Sequence, residues 1–284
     1  MNSAIRILAF VLSLTCILSF RKQPDPTPKP NGAKLYKVYM WNSAQPFNNI
    51  DIFEYHYDSL NRVTEIKQYL LDSLEGNRKM KFIKSQVCFY NGSEQLPYKT
   101  KGFHYFAEKE IYYFYDSSGR LITDSMSATI GNDYSAVHRY LWYNDKLIRK
   151  INSPFTGKED SSDISNHNLI CNVLTIHGAS HIAYTHAQFT FDNKINPLTV
   201  LNIGPMLLTL SWPYATYDQQ ICGFNKNNFT EMLLGKTDMN NEFTPKFKFT
   251  YNYKYNSAGL PVECEINGVP FSNYKDRIQY YYTD

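Results

Sequence analysis

Both the best helix former and the usual chain breakers are scarce in this 284-residue sequence, which has 12 Ala, 13 Gly and 13 Pro. So little Ala argues against a helical protein. The Gly and Pro content, with a hydrophobic fraction of 43%, excludes a collagen-like fibre and a disordered chain. Charge is thin as well. Charged residues make up 19% and the formal net charge is +3, too small to imply a nucleic-acid or acidic-lipid partner. Signature motifs are missing too. No C-x-x-C, HExxH, GxSxG, Walker A or dinucleotide fingerprint occurs, so nothing points to a cofactor, a metal or a thiol redox centre.

What is abundant is aromatic and Asn side chains. The chain has 24 Tyr, 18 Phe and 3 Trp, 16% of its length, and 26 Asn. Aromatics favour strands and Asn favours turns, so the composition predicts an all-β protein.

The N-terminus reads as an export signal, residues 1–20, in which Arg6 precedes the apolar run Ile7 to Phe20. About 14 apolar residues suit a secretory signal better than a membrane span of about 20. Residues 21–34 follow as a tether with four prolines between Pro24 and Pro30, which reads as extended chain. Cys16 is the candidate lipid-attachment residue. Ser13, Leu14 and Thr15 before it match a lipoprotein signal poorly, so lipidation and ordinary cleavage near Ser19 stand side by side. Any membrane contact is expected only through that anchor.

Residues 35–284 read as one repeat domain. Segments such as FEYHYDSLNRVTEI, IYYFYDSSGRLITD and YNYKYNSAGLPVEC share an aromatic residue followed by Asp or Asn. The pivots are Tyr57, Tyr90, Tyr115, Tyr143, Phe191, Phe224, Tyr255 and Tyr282, spaced 25 to 33 residues apart except for one interval of 48. That interval holds a polar stretch near residues 157–168, which reads as an inserted loop. Each unit predicts a strand, a turn in which Asn61, Gly119 or Gly259 supplies a left-handed residue, and a return strand. The whole predicts an antiparallel meander of about 14–16 strands, forming a large curved sheet or barrel-like shell. Two residues before the pivots stand Tyr55, Cys88, Tyr113, Leu141, Phe189, Cys222, Tyr253 and Tyr280, an apolar row that predicts one uniformly buried face.

YFYDSSGRLITD resembles the YD repeats of Rhs and teneurin shells. The irregular spacing and single-domain length after a signal are more similar to a family of Bacteroidetes envelope lipoproteins described as porin-like in fold. The resemblance runs from about Lys34 to Asp284. It implies a many-stranded curved or closed sheet, with no implied activity.

A membrane barrel is a weaker expectation than a water-facing sheet. Glu65, Lys67, Arg149, Lys150, Lys254 and Glu263 fall inside predicted strands, and the adjacent Arg149 and Lys150 must point to opposite faces. Cys88 and Cys222 occupy the slot held elsewhere by Tyr, Leu or Phe, which predicts small buried thiols. His177, His181 and His186 form a cluster too extended for one metal without a turn. The ligand-binding candidates are Phe89, Phe114 and Trp142, at equivalent positions of three consecutive units on the variable face. Such rings stack sugars or bind apolar or peptidic ligands when exposed. The functional expectation is a non-catalytic binding or structural protein of the cell envelope, periplasmic, outer-membrane-associated or secreted. Its ligand is an unknown glycan or peptide. The alternatives are a hydrolase of surface glycans or peptides, and an outer-membrane barrel.

Overall fold

The computed structural model describes residues 32–283 except 42–49, 73–78, 105–106, 129–135, 145, 153–156, 166–167, 178–181, 202–224, 238–241 and 270–274. The signal, the tether up to Asn31, Cys16, Cys222, Phe224 and His181 lie outside the described residues. Eight strands form the first half: β1 Lys34–Trp41, β2 Ile50–Tyr57, β3 Val63–Asp72, β4 Lys79–Phe89, β5 Lys99–His104, β6 Ala107–Tyr115, β7 Leu121–Ala128 and β8 Ala136–Trp142. Eight more follow: β9 Lys146–Asn152, β10 Gly157–Ser165, β11 Asn168–His177, β12 Ile182–Ile195, β13 Asn227–Thr237, β14 Phe243–Tyr255, β15 Pro261–Val269 and β16 Lys275–Thr283. A 3-10 turn, Pro197–Leu201, follows β12.

Every strand pairs antiparallel with its neighbours in sequence, and β1 also pairs with β16, so the sheet closes into a sixteen-stranded barrel. Closure removes both sheet edges. The expected meander is therefore present, in its closed form.

The tight turns explain why the repeat folds this way. In the β2–β3 turn, Asp58 Oδ1 accepts from the backbone of Leu60 and Arg62, both at 2.9 Å, and Asn61 takes φ 62°. The β6–β7 turn repeats this with Asp116, Ser118, Arg120 and Gly119 at φ 79°, and the β14–β15 turn with Asn256, Ala258, Leu260 and Gly259 at φ 76°. A side-chain acceptor at the first position and a left-handed residue at the fourth fix a hairpin with one extra residue.

Four tyrosine pivots then tie their hairpins to the chain just before them, whereas Tyr255 donates to Asp192 of β12. Tyr57 donates to the Leu35 carbonyl at 2.5 Å, Tyr90 to Val63 at 2.7 Å, Tyr115 to Pro97 at 2.9 Å and Tyr282 to Pro261 at 2.8 Å. In the fourth unit it is Trp142 whose Nε1 donates, to Leu121 at 2.7 Å. The pivot of that unit is therefore Trp142, one residue before the Tyr143 that the sequence pattern selects. Tyr140 is correspondingly buried, while Leu141 is 39% exposed and leaves the buried row.

Strand pairing aligns side chains into rows. One face carries Val38, Phe53, Ile66, Tyr113, Met126, Tyr140, Phe189 and Met232, which form two packed clusters. These rows hold most of the buried side chains and line the lumen, while Ile50 and Ile52 of β2 are buried on the opposite face. Leu201 of the 3-10 turn is buried in the same cluster as Leu35 and Val63. The core thus sits at the end where even strands finish and odd ones begin.

Two corrections concern the middle of the chain. Residues 157–168 are not a loop: Gly157–Ser165 is β10, paired with β9 and β11. The long interval thus hides a whole hairpin that lacks an aromatic pivot. Phe191, counted as a strand-ending pivot, lies inside β12 (Ile182–Ile195), and the next pivot, Phe224, lies outside the described residues.

Candidate functional site

The three sequence candidates do not form one row. Phe89 and Phe114 lie on the outer wall, opposite to their pivots Tyr90 and Tyr115. Trp142 takes the pivot place and packs on the inner cluster. Phe89 and Phe114 are also separated, because a return strand stands between successive even strands. Lys99 of β5 pairs with Phe89 on one side and Tyr112 on the other, and its Nζ lies 4.7 Å from the Phe89 ring centre. Phe114 is 53% exposed and has no ring partner among the described contacts.

The inner wall carries polar clusters of its own. Asp124 is fully buried, with His138 Nδ1 2.9 Å from Oδ1 and the Tyr140 hydroxyl donating to Oδ2 at 2.6 Å. Burial first, and the Asp124 charge second, hold the Tyr140 hydroxyl protonated far above its ordinary range. Both carboxylate oxygens are thus engaged, which suits a network that fixes β7 against β8. Nearer the other end, Gln68 donates to Asp51 at 2.7 Å and pairs with Lys84. Burial lowers the Lys84 ammonium to about 8, partly offset by Asp51.

The outer wall differs sharply. It holds cross-strand ion pairs: Lys37 with Glu54 at 2.7 Å, Lys99 with Glu110 at 3.7 Å, Lys101 with Glu108 at 2.9 Å and Lys248 with Glu231 at 2.5 Å. Glu263 accepts from Lys254, Arg277 and Gln279, and the first two hold its carboxyl down at about 2.

Aromatic side chains interrupt this charged wall where β1 meets β16. Tyr36 stands 6.4 Å from Tyr281, Tyr281 stands 5.3 Å from Tyr39, and Tyr39 stands 5.9 Å from Trp41. The guanidinium of Arg277 lies 5.6 Å from the Trp41 ring, and Lys37 lies 6.0 Å from Tyr39. Across β2 the neighbouring outer residues are Ile52, paired with Tyr39, and Ile50, paired with Trp41. The result is a ladder of four rings with an ionic flank on β15–β16 and an apolar flank on β2. Tyr281 belongs to the same alternating position as Phe114, so its outward direction was open to sequence reasoning. Its neighbours were not, because they come from the opposite end of the chain.

His177 and His186 belong to β11 and β12, with side chains outside the described residues. Cys88 and Cys264 are buried thiols outside any disulfide among the described residues.

Comparison with known proteins gives structural likeness only. No family model and no curated protein matches the sequence. Among solved structures, a porin-like protein from Bacteroides uniformis is similar with a TM-score of 0.55 and 14% identity, over 88% of this chain and 96% of that one. A porin-like protein from Bacteroides vulgatus gives a TM-score of 0.53 and 8% identity, over 88% and 99%. At these identities the likeness is one of fold.

Proposed function

We propose that this chain is a non-catalytic barrel domain of the bacterial cell envelope, exported by its N-terminal segment, that stands in water and binds a ligand on its outer wall. The observation that carries this reading is the polarity of the wall. Aromatic and aliphatic rows dominate the inside around a few polar clusters, and cross-strand ion pairs recur along the outside among exposed side chains such as Phe82, Phe114 and Ile122. A lipid-facing barrel needs the reverse, since Lys or Arg at a bilayer midplane costs roughly 2–4 kcal/mol each. The Bacteroides structures support a barrel without bringing membrane insertion with them. The Arg6–Phe20 segment and the Pro-rich tether support export and a place in the envelope.

The test is the behaviour of the domain without residues 1–33. The expected result is a monodisperse, β-rich protein in detergent-free buffer that turns over none of a panel of glycans and peptides. Aggregation relieved only by micelles, with insertion into liposomes, would favour the outer-membrane barrel, and turnover would favour the hydrolase.

A further inference from the structure

We propose that the ladder Tyr36–Tyr281–Tyr39–Trp41 is a binding platform for an extended, uncharged glycan, a ligand class that rests on the outer-wall binding reading above. Four features of the wall select that ligand.

The first is repetition. Successive ring centroids are 6.4, 5.3 and 5.9 Å apart, the first two pairs edge-to-face and Tyr39–Trp41 stacked, spacings comparable to the advance of one sugar residue along an extended chain. A repeating ligand meets a repeating surface. The second is amphipathy. Trp41 and Tyr39, paired with the buried Ile50 and Ile52 of β2, offer apolar contact to the C–H faces of pyranose rings. Arg277 and Gln279 offer hydrogen bonds to hydroxyls from the other flank. Glu263 already fixes both side chains, so little side-chain entropy remains to be lost on binding.

The third is charge. Around the ladder stand three cations, Lys37 of β1, Lys254 of β14 and Arg277 of β16, and three carboxylates, Glu54 of β2 and Glu263 and Glu265 of β15. Their balance favours a neutral polymer over a uronic or phosphorylated one. The fourth is closure. A peptide that adds a strand requires a free sheet edge, and the β1–β16 pairing leaves none in this barrel. Tyr36 and Tyr281 are 36% and 38% exposed, and Tyr39 and Trp41 are half-buried, so the ladder is most open at its Tyr36–Tyr281 end.

The experiment is affinity electrophoresis of the full chain in native gels containing hydroxyethyl cellulose, glucomannan or, as the anionic comparison, polygalacturonate. At least one neutral polymer should retard the protein. Trp41→Ala and Tyr281→Ala should each weaken retardation about ten-fold or more, with unchanged circular dichroism. Trp41→Phe should keep most of it, and Phe114→Ala, an exposed ring elsewhere on the wall, all of it. The proposal is overturned if neither neutral polymer retards the chain, if Trp41→Ala has no effect, or if only polygalacturonate binds. It is equally overturned if Trp41→Ala converts a dimer to a monomer, because the ladder is then a self-association surface. Each of these outcomes leaves a detergent-free, non-catalytic barrel standing. Cleavage of the polymer would instead sink the non-catalytic reading.

Discussion

The Tyr90 hydroxyl donates to the carbonyl of Val63 at 2.7 Å, and the guanidinium of Arg62, one residue earlier, lies 4.4 Å from the Tyr90 ring. Arg62 also pairs with Asp58 and donates to the carbonyls of Gly92 and Glu94 at 2.7 and 2.8 Å. One turn is thereby fastened to the next around the rim. Tyr90→Phe keeps the ring and removes only the hydrogen bond to the carbonyl of the buried Val63. The expected loss is about 1–2 kcal/mol, read as a fall in unfolding midpoint. An unchanged midpoint would show that the pivot hydroxyls contribute only shape.

Acid sensitivity follows from two carboxyls. Partial burial raises the Asp116 carboxyl, but hydrogen bonds from Ser118 and Arg120 outweigh this and hold it at about 2. Glu263 is held at about 2 by Lys254 and Arg277. In the unfolded chain such groups titrate near 3.9 and 4.3. Between those limits the unfolded state binds more protons, so stability is complete above about pH 4.5 and falls as pH drops toward 2. Chemical denaturation at several pH values should show this slope, reduced in Glu263→Gln.

Thiol accessibility tests the inner packing. Cys88 and Cys264 are 5% and 0% exposed, and burial pushes the Cys88 thiol up to about 12. Buried, protonated thiols are poor nucleophiles. Mass spectrometry after treatment with a maleimide should find both unmodified in the native chain and both modified in denaturant. Rapid native labelling of Cys88 would mean that water fills the lumen at that level.

Gly102 marks a close approach of β4 to β5. A Cβ there would lie 2.6 Å from the Ser85 carbonyl oxygen and 3.0 Å from the Cα of Gln86. Backbone atoms cannot step aside cheaply, so Gly102→Ala should cost about 1–3 kcal/mol. A denaturation midpoint equal to that of the parent would show that the two strands pair more loosely.

Some of this architecture was legible in the sequence, and the limits are physical. The aromatic–Asp pattern located the β2–β3, β6–β7 and β14–β15 turns, because a side-chain cap and a left-handed residue are local requirements. It slipped by one residue at RYLWYN, where Tyr140, Trp142 and Tyr143 all fit an aromatic pivot. Only the long-range bond to Leu121 distinguishes them. It missed β10–β11 because SSDISNHN has no aromatic to mark the turn. Phe89 and Phe114 were rightly placed opposite their pivots, yet a row across even strands could not be contiguous. The ring ladder depends on pairing between β1 and β16, a closure that no local pattern encodes.

The most direct test of the barrel's polarity is the labelling of single cysteines along β2 and β3 by a water-soluble maleimide in detergent-free buffer. Glu54→Cys and Lys67→Cys lie on the outer wall, and Phe53→Cys and Ile66→Cys replace buried inner residues. Fast labelling is expected at 54 and 67 and protection at 53 and 66, each measured against the parent chain. Labelling at 53 and 66 with protection at 54 and 67 would contradict it, because that is the pattern of a water-filled pore with a lipid-facing exterior.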